Sequence, residues 1–480
     1  MIKQLFVNPL LIVCLFISTI MPHSVLAGTD NHLGKRSDNS GGHNTASGGS
    51  KRAKLASHKV KQQSLPAVLT LRFALDQVGL HPVMLQRRSA MNLAKANKQL
   101  VHSKNNFNVW VNGQLRYVEP LASSSVQSND DSQLGIVVRK RLYDFGQTGA
   151  KLKAAHWQIK KSEWLLLAAR DQQQIKIMQA YFAVLLADLA YARDNEAMAT
   201  AYVAFDKVRH RNTLGQVSDV ELLQSETNYQ QSRSARYTSD VARRISRAVL
   251  ANTLNRPGQL SSTLAEPAFN SRKIKFPDLN SIMTQAKKSN RRLLALRSAV
   301  VAARKNILAA QAGRRPVLEF EMGGYEYQRE IGSRDKARAS INIRIPLFTG
   351  GQVKAEVARS TAIYYQKRGD LRLWQLRLRQ VALELSQAIY VLRARRDTTD
   401  KLLEYRELSL DRSRALYELD VRKTLGDAMV KQSAARYEAA KVKYQIILTW
   451  ARLNLLQGKS IFARHTQKVK KSVSRTLKQE

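Results

Sequence analysis

The chain has 480 residues and a formal net charge of +42, from 79 Lys and Arg against 37 Asp and Glu. Its one cysteine, Cys14, lies in an apolar run near the N-terminus, so the rest of the chain offers no disulfide, thiol nucleophile or thiolate metal site. The Lys and Arg residues are spread along helical stretches, and we interpret them as solvated helix faces in preference to a site for nucleic acid or another polyanion.

The first segment has the pattern of a secretory signal peptide. A basic start at Lys3, an apolar run and a small-residue cleavage pattern before Gly28 predict that residues 1–27 direct export. Residues 28–63 are rich in Gly, Ser, Asn and Lys and predict a flexible polar segment. No later segment reaches the roughly 18 uninterrupted apolar residues of a membrane-spanning helix, so a membrane crossing by this chain has to use strands.

Two copies of one plan follow, over 64–258 and 278–458, with a proline-containing linker over 259–277 and a basic tail over 459–480. Each copy predicts helices, two strands, a glycine turn and a helical hairpin. The turns are "RLYDFGQ" and "IPLFTGGQ", and they place Gly146, Gly350 and Gly351 between a strand and the next helix. The helical stretch after each turn has about seventy residues, or roughly 100 Å at 1.5 Å per residue, whereas a globular helix has about a dozen residues.

Four segments alternate between apolar and polar residues, near 106–118, 133–143, 317–327 and 337–347. Such alternation is typical of membrane β-barrel strands, and a four-stranded sheet half buried against helices is the alternative. Export and the charged residues on the polar faces favour the barrel. The polar faces predict four lumen-facing basic residues: Arg116, Arg139, Arg141 and Arg344. We also expect the register to shift at the Gly323–Gly324 pair.

Four strands cannot close a barrel, because membrane barrels begin at eight strands and open edges are not tolerated in lipid. Assembly of several chains therefore follows, and three copies give twelve strands above a tube of long helices. The predicted fold class is mainly α with a membrane β-barrel. Each glycine turn is then the point at which a membrane strand becomes a tunnel helix.

The signal peptide, the duplicated plan, the glycine turns and "LGQVSDVELLQSE" at a helix-to-helix turn resemble the TolC family of outer membrane efflux proteins over about 65–458. The resemblance implies a homotrimeric channel-tunnel in the outer membrane of a Gram-negative bacterium, extending into the periplasm. It implies a periplasmic adaptor of the membrane fusion type, an inner membrane transporter of the RND or ABC type, and contact with outer membrane lipid. It implies no nucleic acid, cofactor, metal or catalytic activity, and it leaves drug efflux and protein secretion open.

The resemblance also implies a closed periplasmic end at the two helix-to-helix turns, near Gly215 and Gly426. Aspartates line the constriction in such channels. Ser218 and Asp219 match this pattern in the first turn, and Asp427 matches it in the second. The alternative role of both aspartates is N-capping of the returning helix.

The second turn departs from the family pattern, because Val430 stands where a second aspartate is expected. The resemblance implies that Tyr417, together with Arg422 or Lys423, supplies the tyrosine and the basic partners that hold the gate closed.

An enzyme fits the sequence poorly. The nine histidines are scattered singly, and "GGHNTASGGS" lacks the GK[ST] ending of a phosphate loop. The alternative function is that of a basic coiled-coil structural or polyanion-binding protein of the cell envelope. That alternative explains the helices, but it explains neither the four alternating strands nor the duplicated glycine turns.

Overall fold

The computed structural model describes residues 64–260, 263–267, 277–330, 334–419 and 425–460. The predicted signal peptide, the polar segment, nearly all of the basic tail, Arg422 and Lys423 lie outside these residues. The described chain is mostly helical and holds one four-stranded sheet.

The first copy runs through two short elements into a strand pair and a long hairpin. Its elements are β1 (Val68–Leu69), α1 (Leu71–Asp76), α2 (Pro82–Ser103), β2 (Asn108–Gln114), β3 (Gln133–Tyr143), α3 (Gln147–Thr213) and α4 (Asp219–Thr253). The second copy repeats this order. Its elements are β4 (Thr263–Leu264), α5 (Leu279–Ser289), α6 (Arg291–Gln311), β5 (Val317–Tyr327), β6 (Ala337–Arg344), α7 (Gln352–Glu418) and α8 (Leu425–Leu456). The helices α3 and α7 have 67 residues each.

The sheet has the strand order β2-β3-β5-β6 and is antiparallel throughout. The pairing runs without interruption through Gly323 and Gly324, so the expected register shift there is wrong. The irregularity lies instead between Arg141 and Tyr143. A Cβ on Gly135 would meet the Tyr325 ring at 2.5 Å and one on Gly323 would meet it at 2.8 Å. Glycine at these positions therefore makes room for a ring that crosses the strands.

The helices pack side by side in the order α2, α3, α6 and α7, and α4 and α8 return along α3 and α7. The main core surrounds the middle of α3, where the Phe182 ring stacks on Tyr444 with 4.6 Å between ring centroids. The hydroxyl oxygen of Tyr181 lies 2.8 and 2.5 Å from the backbone oxygens of Leu69 and Ala265, which share its single O–H donor, and this contact fixes the parallel β1–β4 pair to α3. One window of α3 is long and apolar enough to cross a membrane, but the apolar residues in the middle of this helix form the core.

Candidate functional site

One face of the four-stranded sheet is apolar and open. Seven large side chains on it have exposed fractions between 53% and 67%: Val109, Val111, Leu134, Ile136, Met322, Ile341 and Ile343. Lys140 interrupts this face, and its Nζ lies 4.3 Å from the centre of the Phe107 ring. A contiguous apolar surface of this kind requires a partner, which is either lipid or protein.

The opposite face carries charges that pair across neighbouring strands. Arg139 Nε lies 2.6 Å from Glu321 Oε2, and Arg141 Nη2 lies 3.2 Å from Glu319 Oε1. Each pair joins residues that stand directly opposite in the register of β3 and β5. Arg344, the last residue of β6, stands opposite Val317. Two of the four predicted lumen-facing arginines are thus neutralised within the sheet.

Arg116 lies two residues beyond β2 and pairs with Asp131 at 3.3 Å. Asp131 is buried, and both of its oxygens accept hydrogen bonds from Arg334, at 2.6 and 3.0 Å. The hydrogen bond from Arg334 holds the pKa of the Asp131 carboxyl below its usual range, against the effect of burial. This contact ties the β2–β3 and β5–β6 connections together. No sequence signal points to it, because Arg334 and Asp131 are 203 residues apart.

Both strand-to-helix hinges use the left-handed region at two successive residues. The φ angles are 50° and 93° at Phe145 and Gly146, and 57° and 82° at Gly350 and Gly351. The two turns close with equivalent backbone hydrogen bonds, from Gln147 to Asp144 at 3.1 Å and from Gln352 to Thr349 at 3.0 Å. The sequence therefore identified both hinges, and the structure shows that they share one backbone geometry.

The first helix-to-helix turn is held by side chains of its own residues. Gly215 has a φ of 68°, and Ser218 Oγ accepts from the Glu221 N–H at 3.2 Å as the N-cap of α4. Asp219 is the first residue of α4, and its carboxylate accepts from Asn212 Nδ2 at 3.0 Å. Capping is thus the role of Ser218, and the Asp219 carboxylate bridges the two helices.

The second helix-to-helix turn is described only on its two sides. Tyr417 lies near the end of α7 and is exposed. Gly426 and Asp427 belong to the first turn of α8, and residues 420–424 just before this helix lie outside the described ranges, so the turn predicted near Gly426 stays a prediction. A Cβ on Gly426 would lie 2.8 Å from Thr200 Cγ2 of α3, and the glycine permits this close helix approach.

A family profile described as outer membrane efflux protein matches residues 282–459, which comprise most of the second copy. This part of the chain is similar to the outer membrane efflux protein family. The predicted resemblance is therefore confirmed, and with it the location: outer membrane efflux proteins span the outer membrane and extend into the periplasm. Members of the family are tunnels and not enzymes.

Among curated proteins, Protein CyaE of Bordetella pertussis is 24% identical over 247 residues, or 49% of this chain. The match spans about half of that relative, 52% of its length. Two solved structures share the fold of this chain. CmeC of Campylobacter jejuni has a TM-score of 0.67 at 14% identity, over 87% of this chain and 93% of its own. VceC of Vibrio cholerae has a TM-score of 0.64 at 15% identity, over 82% of this chain and 97% of its own.

Proposed function

We propose that this protein forms a homotrimeric channel-tunnel, gated at its periplasmic helix tips, that passes cargo from an inner membrane transporter and a periplasmic adaptor to the outside. The sheet carries this proposal, because it combines an exposed apolar face, a charged face and two unpaired edges, β2 and β6. Lipid does not tolerate open strand edges. Three sheets joined edge to edge give twelve strands, which exceeds the eight-strand minimum of membrane barrels.

The hinges support the second half of the tunnel. Each protomer turns twice from a strand into a helix of 67 residues, so a closed barrel of twelve strands would continue into a helical wall built from the same three chains. A helix of this length extends on the order of 100 Å. That is enough to reach far into the periplasm, where an adaptor and a transporter of the RND or ABC type would dock.

The gate is assigned to the two helix-to-helix turns. Threefold symmetry would bring the carboxylates of Asp219 and Asp427 together, where they repel each other and attract cations. Hydrogen bonds such as that from Asn212 to Asp219 hold the tip in one conformation until a partner stabilises another. Drug efflux and type I secretion both fit a tunnel gated in this way.

Assembly is tested by cross-linking in the outer membrane. We place one cysteine on the edge strand β2, by Asn112→Cys, and a second at 338, 340, 342 or 344 along the edge strand β6. At one of these positions we expect disulfide-linked trimers, because the two edges pair between protomers. The control is Val137→Cys on the central strand β3, combined with the same β6 cysteines. A salt-soluble monomer without cross-links at any position would contradict the proposal.

The gate is tested by conductance in planar bilayers. We expect a small, mostly closed conductance for the wild type and a several-fold larger one for Asp219→Ala and Asp427→Ala. The control is Asp240→Ala, in the middle of α4, where the carboxylate pairs with Arg243 and Arg244 away from the tip. An equal rise in the control, or no rise in either tip variant, would show that the tip carboxylates do not hold the gate.

A further inference from the structure

The positive charge is concentrated in one part of the helical wall. We call this part the upper section: α2, α6 and the portions of α3 and α7 next to the sheet, 147–170 and 352–379. Its lower limit is where α6 begins, since Arg291 pairs with Asp171, and Leu293 packs near Leu378. The upper section holds 21 Lys and Arg and three acidic residues. The rest of α3 and α7, together with α4 and α8, holds 22 Lys and Arg and 18 acidic residues. The Lys and Arg residues are therefore spread along the helices, but their excess over acidic residues is concentrated in the upper section.

The excess charge lies on one face of the upper section. A cavity of about 770 Å³ is lined by all four helices, and the charged residues at it are Lys151, Glu356 and Arg359. Successive residues of an α-helix are rotated by about 100° around its axis. On this basis, most of the other basic side chains of these four helices lie on the side opposite the cavity. We call this opposite surface the basic outer face. It includes Lys95, Lys153, Arg297, Arg304, Lys354 and Arg372.

The basic outer face lacks internal compensation. Lys95, Arg297, Arg304 and Arg372 are exposed, and none of them forms an ion pair with a described residue. In the rest of α3 and α7 and in α4 and α8, which we call the lower helices, basic residues repeatedly pair with a carboxylate three or four positions away, as Arg244 does with Asp240. Unpaired like charges on one surface repel each other and attract a polyanion.

We propose that the basic outer face binds an extended anionic polymer outside the tunnel, namely the carboxylate-bearing glycan of the periplasmic cell wall. The inference rests on the proposed function, under which the helical wall has a lumen on one side, and we assign the cavity side to the lumen and this face to the periplasm. Cargo does not meet the face, because cargo passes on the cavity side.

The extent of the face favours a polymer over lipid. Each headgroup layer of a membrane is about 5 to 8 Å thick. Lys354 lies in the first turn of α7 beside the sheet, but Arg372 lies 20 residues after Gln352, which is about 30 Å along the helix. Lipid headgroups would therefore reach only the end of the face next to the sheet, whereas a glycan strand can follow its whole length.

The test is cosedimentation of the purified, detergent-solubilised full chain with isolated cell-wall sacculi over a range of salt concentrations. The outer-face variant carries Lys95→Gln, Arg297→Gln, Arg304→Gln and Arg372→Gln. The matched control loses the same charge from exposed positions of the lower helices, by Lys207→Gln, Arg395→Gln, Arg412→Gln and Lys431→Gln. We expect wild type and control to bind at low salt and to be released as salt rises, and the outer-face variant to bind about tenfold more weakly.

Equal binding by the outer-face variant and the wild type would overturn the inference. Flotation with vesicles that contain anionic phospholipid tests whether the face binds lipid headgroups in place of the cell-wall polymer. Binding to vesicles without binding to sacculi would also overturn the inference. The mass and bilayer conductance of the same preparations report the proposed function separately. Trimers that conduct but do not bind sacculi would refute this inference alone, while sacculus binding by a monomer without conductance would refute the tunnel.

Discussion

The two strand-to-helix hinges share one backbone conformation, but different contacts stabilise them. In the first hinge, Asp144 is buried and its carboxylate accepts from the Thr148 N–H at 2.8 Å and from the Thr148 hydroxyl. Arg315 Nη1 adds a hydrogen bond of 2.6 Å to the Phe145 backbone oxygen. At the equivalent positions of the second hinge stand Thr349 and Gly350, and Leu347 and Phe348 just before them are 94% and 90% exposed.

The difference shows two solutions to one conformational problem. The first hinge places Phe145, which has a side chain, in the left-handed region, which costs roughly 1–2 kcal/mol, and polar contacts offset this cost. The second hinge uses two glycines, which adopt the region without strain. Its contacts within the chain are few, so the exposed Leu347 and Phe348 are the residues that lipid or a second protomer would cover.

Removing the polar contact of the first hinge should have the largest effect. Asp144→Ala leaves the buried Thr148 N–H and hydroxyl without this acceptor, and an unsatisfied buried group costs about 1–3 kcal/mol. The matched change in the second hinge is Thr349→Ala, for which we expect less than about 0.5 kcal/mol. The measurement is urea unfolding of the detergent-solubilised protein. Equal effects of the two substitutions would show that the side-chain contacts do not distinguish the hinges.

The glycines of the second hinge give an effect of intermediate size. Gly351→Ala places a side chain at a φ of 82°, and we expect it to destabilise the fold by about 1–2 kcal/mol. Nothing lies within 4 Å of an added Cβ there, so the loss reports backbone strain alone. Gly149→Ala, in the first turn of α3 and with equally open space, is the control. We expect it to stabilise the protein by about 0.5–1 kcal/mol, and a loss of stability there would contradict this account.

The sequence was sufficient for features that repeat or alternate locally. The inner strands β3 and β5 cover 133–143 and 317–327, the ranges given by alternation, and the glycine pattern located both hinges. The outer strand β2 ends at Gln114, earlier than expected, although the same antiparallel register continues beyond it to an isolated bridge between Tyr117 and Asp130. Contacts across more than 200 residues, such as that of Arg334 with Asp131, have no local pattern. The basic outer face could not be located from the sequence, because its position is defined by the side of the packed helices that lies opposite the cavity.

The N-caps of α2 and α6 also differ between the two copies, and we expect this difference to have the smallest effect on stability. The N-cap of α2 is His81, whose Nδ1 accepts from the Val83 N–H at 3.2 Å, and the N-cap of α6 is Asn290, whose Oδ1 accepts from the Leu293 N–H at 2.9 Å. The imidazole accepts only when it is neutral. Burial, with a smaller contribution from Lys176, lowers the pKa of His81 below 6.5. The asparagine cap has no such dependence.

A lowered pKa means that the folded protein binds the His81 proton less tightly than the unfolded chain does. The stabilising contribution is therefore complete above about pH 6.5 and is lost as the pH falls through the folded pKa. His81→Asn gives α2 the same N-cap residue as α6. The free energy of unfolding of the variant should therefore rise relative to that of the wild type by up to about 1 kcal/mol as the pH is lowered from 7.5 to 5. The measurement is the difference in unfolding free energy between the two proteins at each pH. Burial raises the pKa of Asp171 to about 6, but this group is common to both proteins and cancels in the difference. A difference that stays constant with pH would show that the imidazole of His81 does not act as a neutral cap.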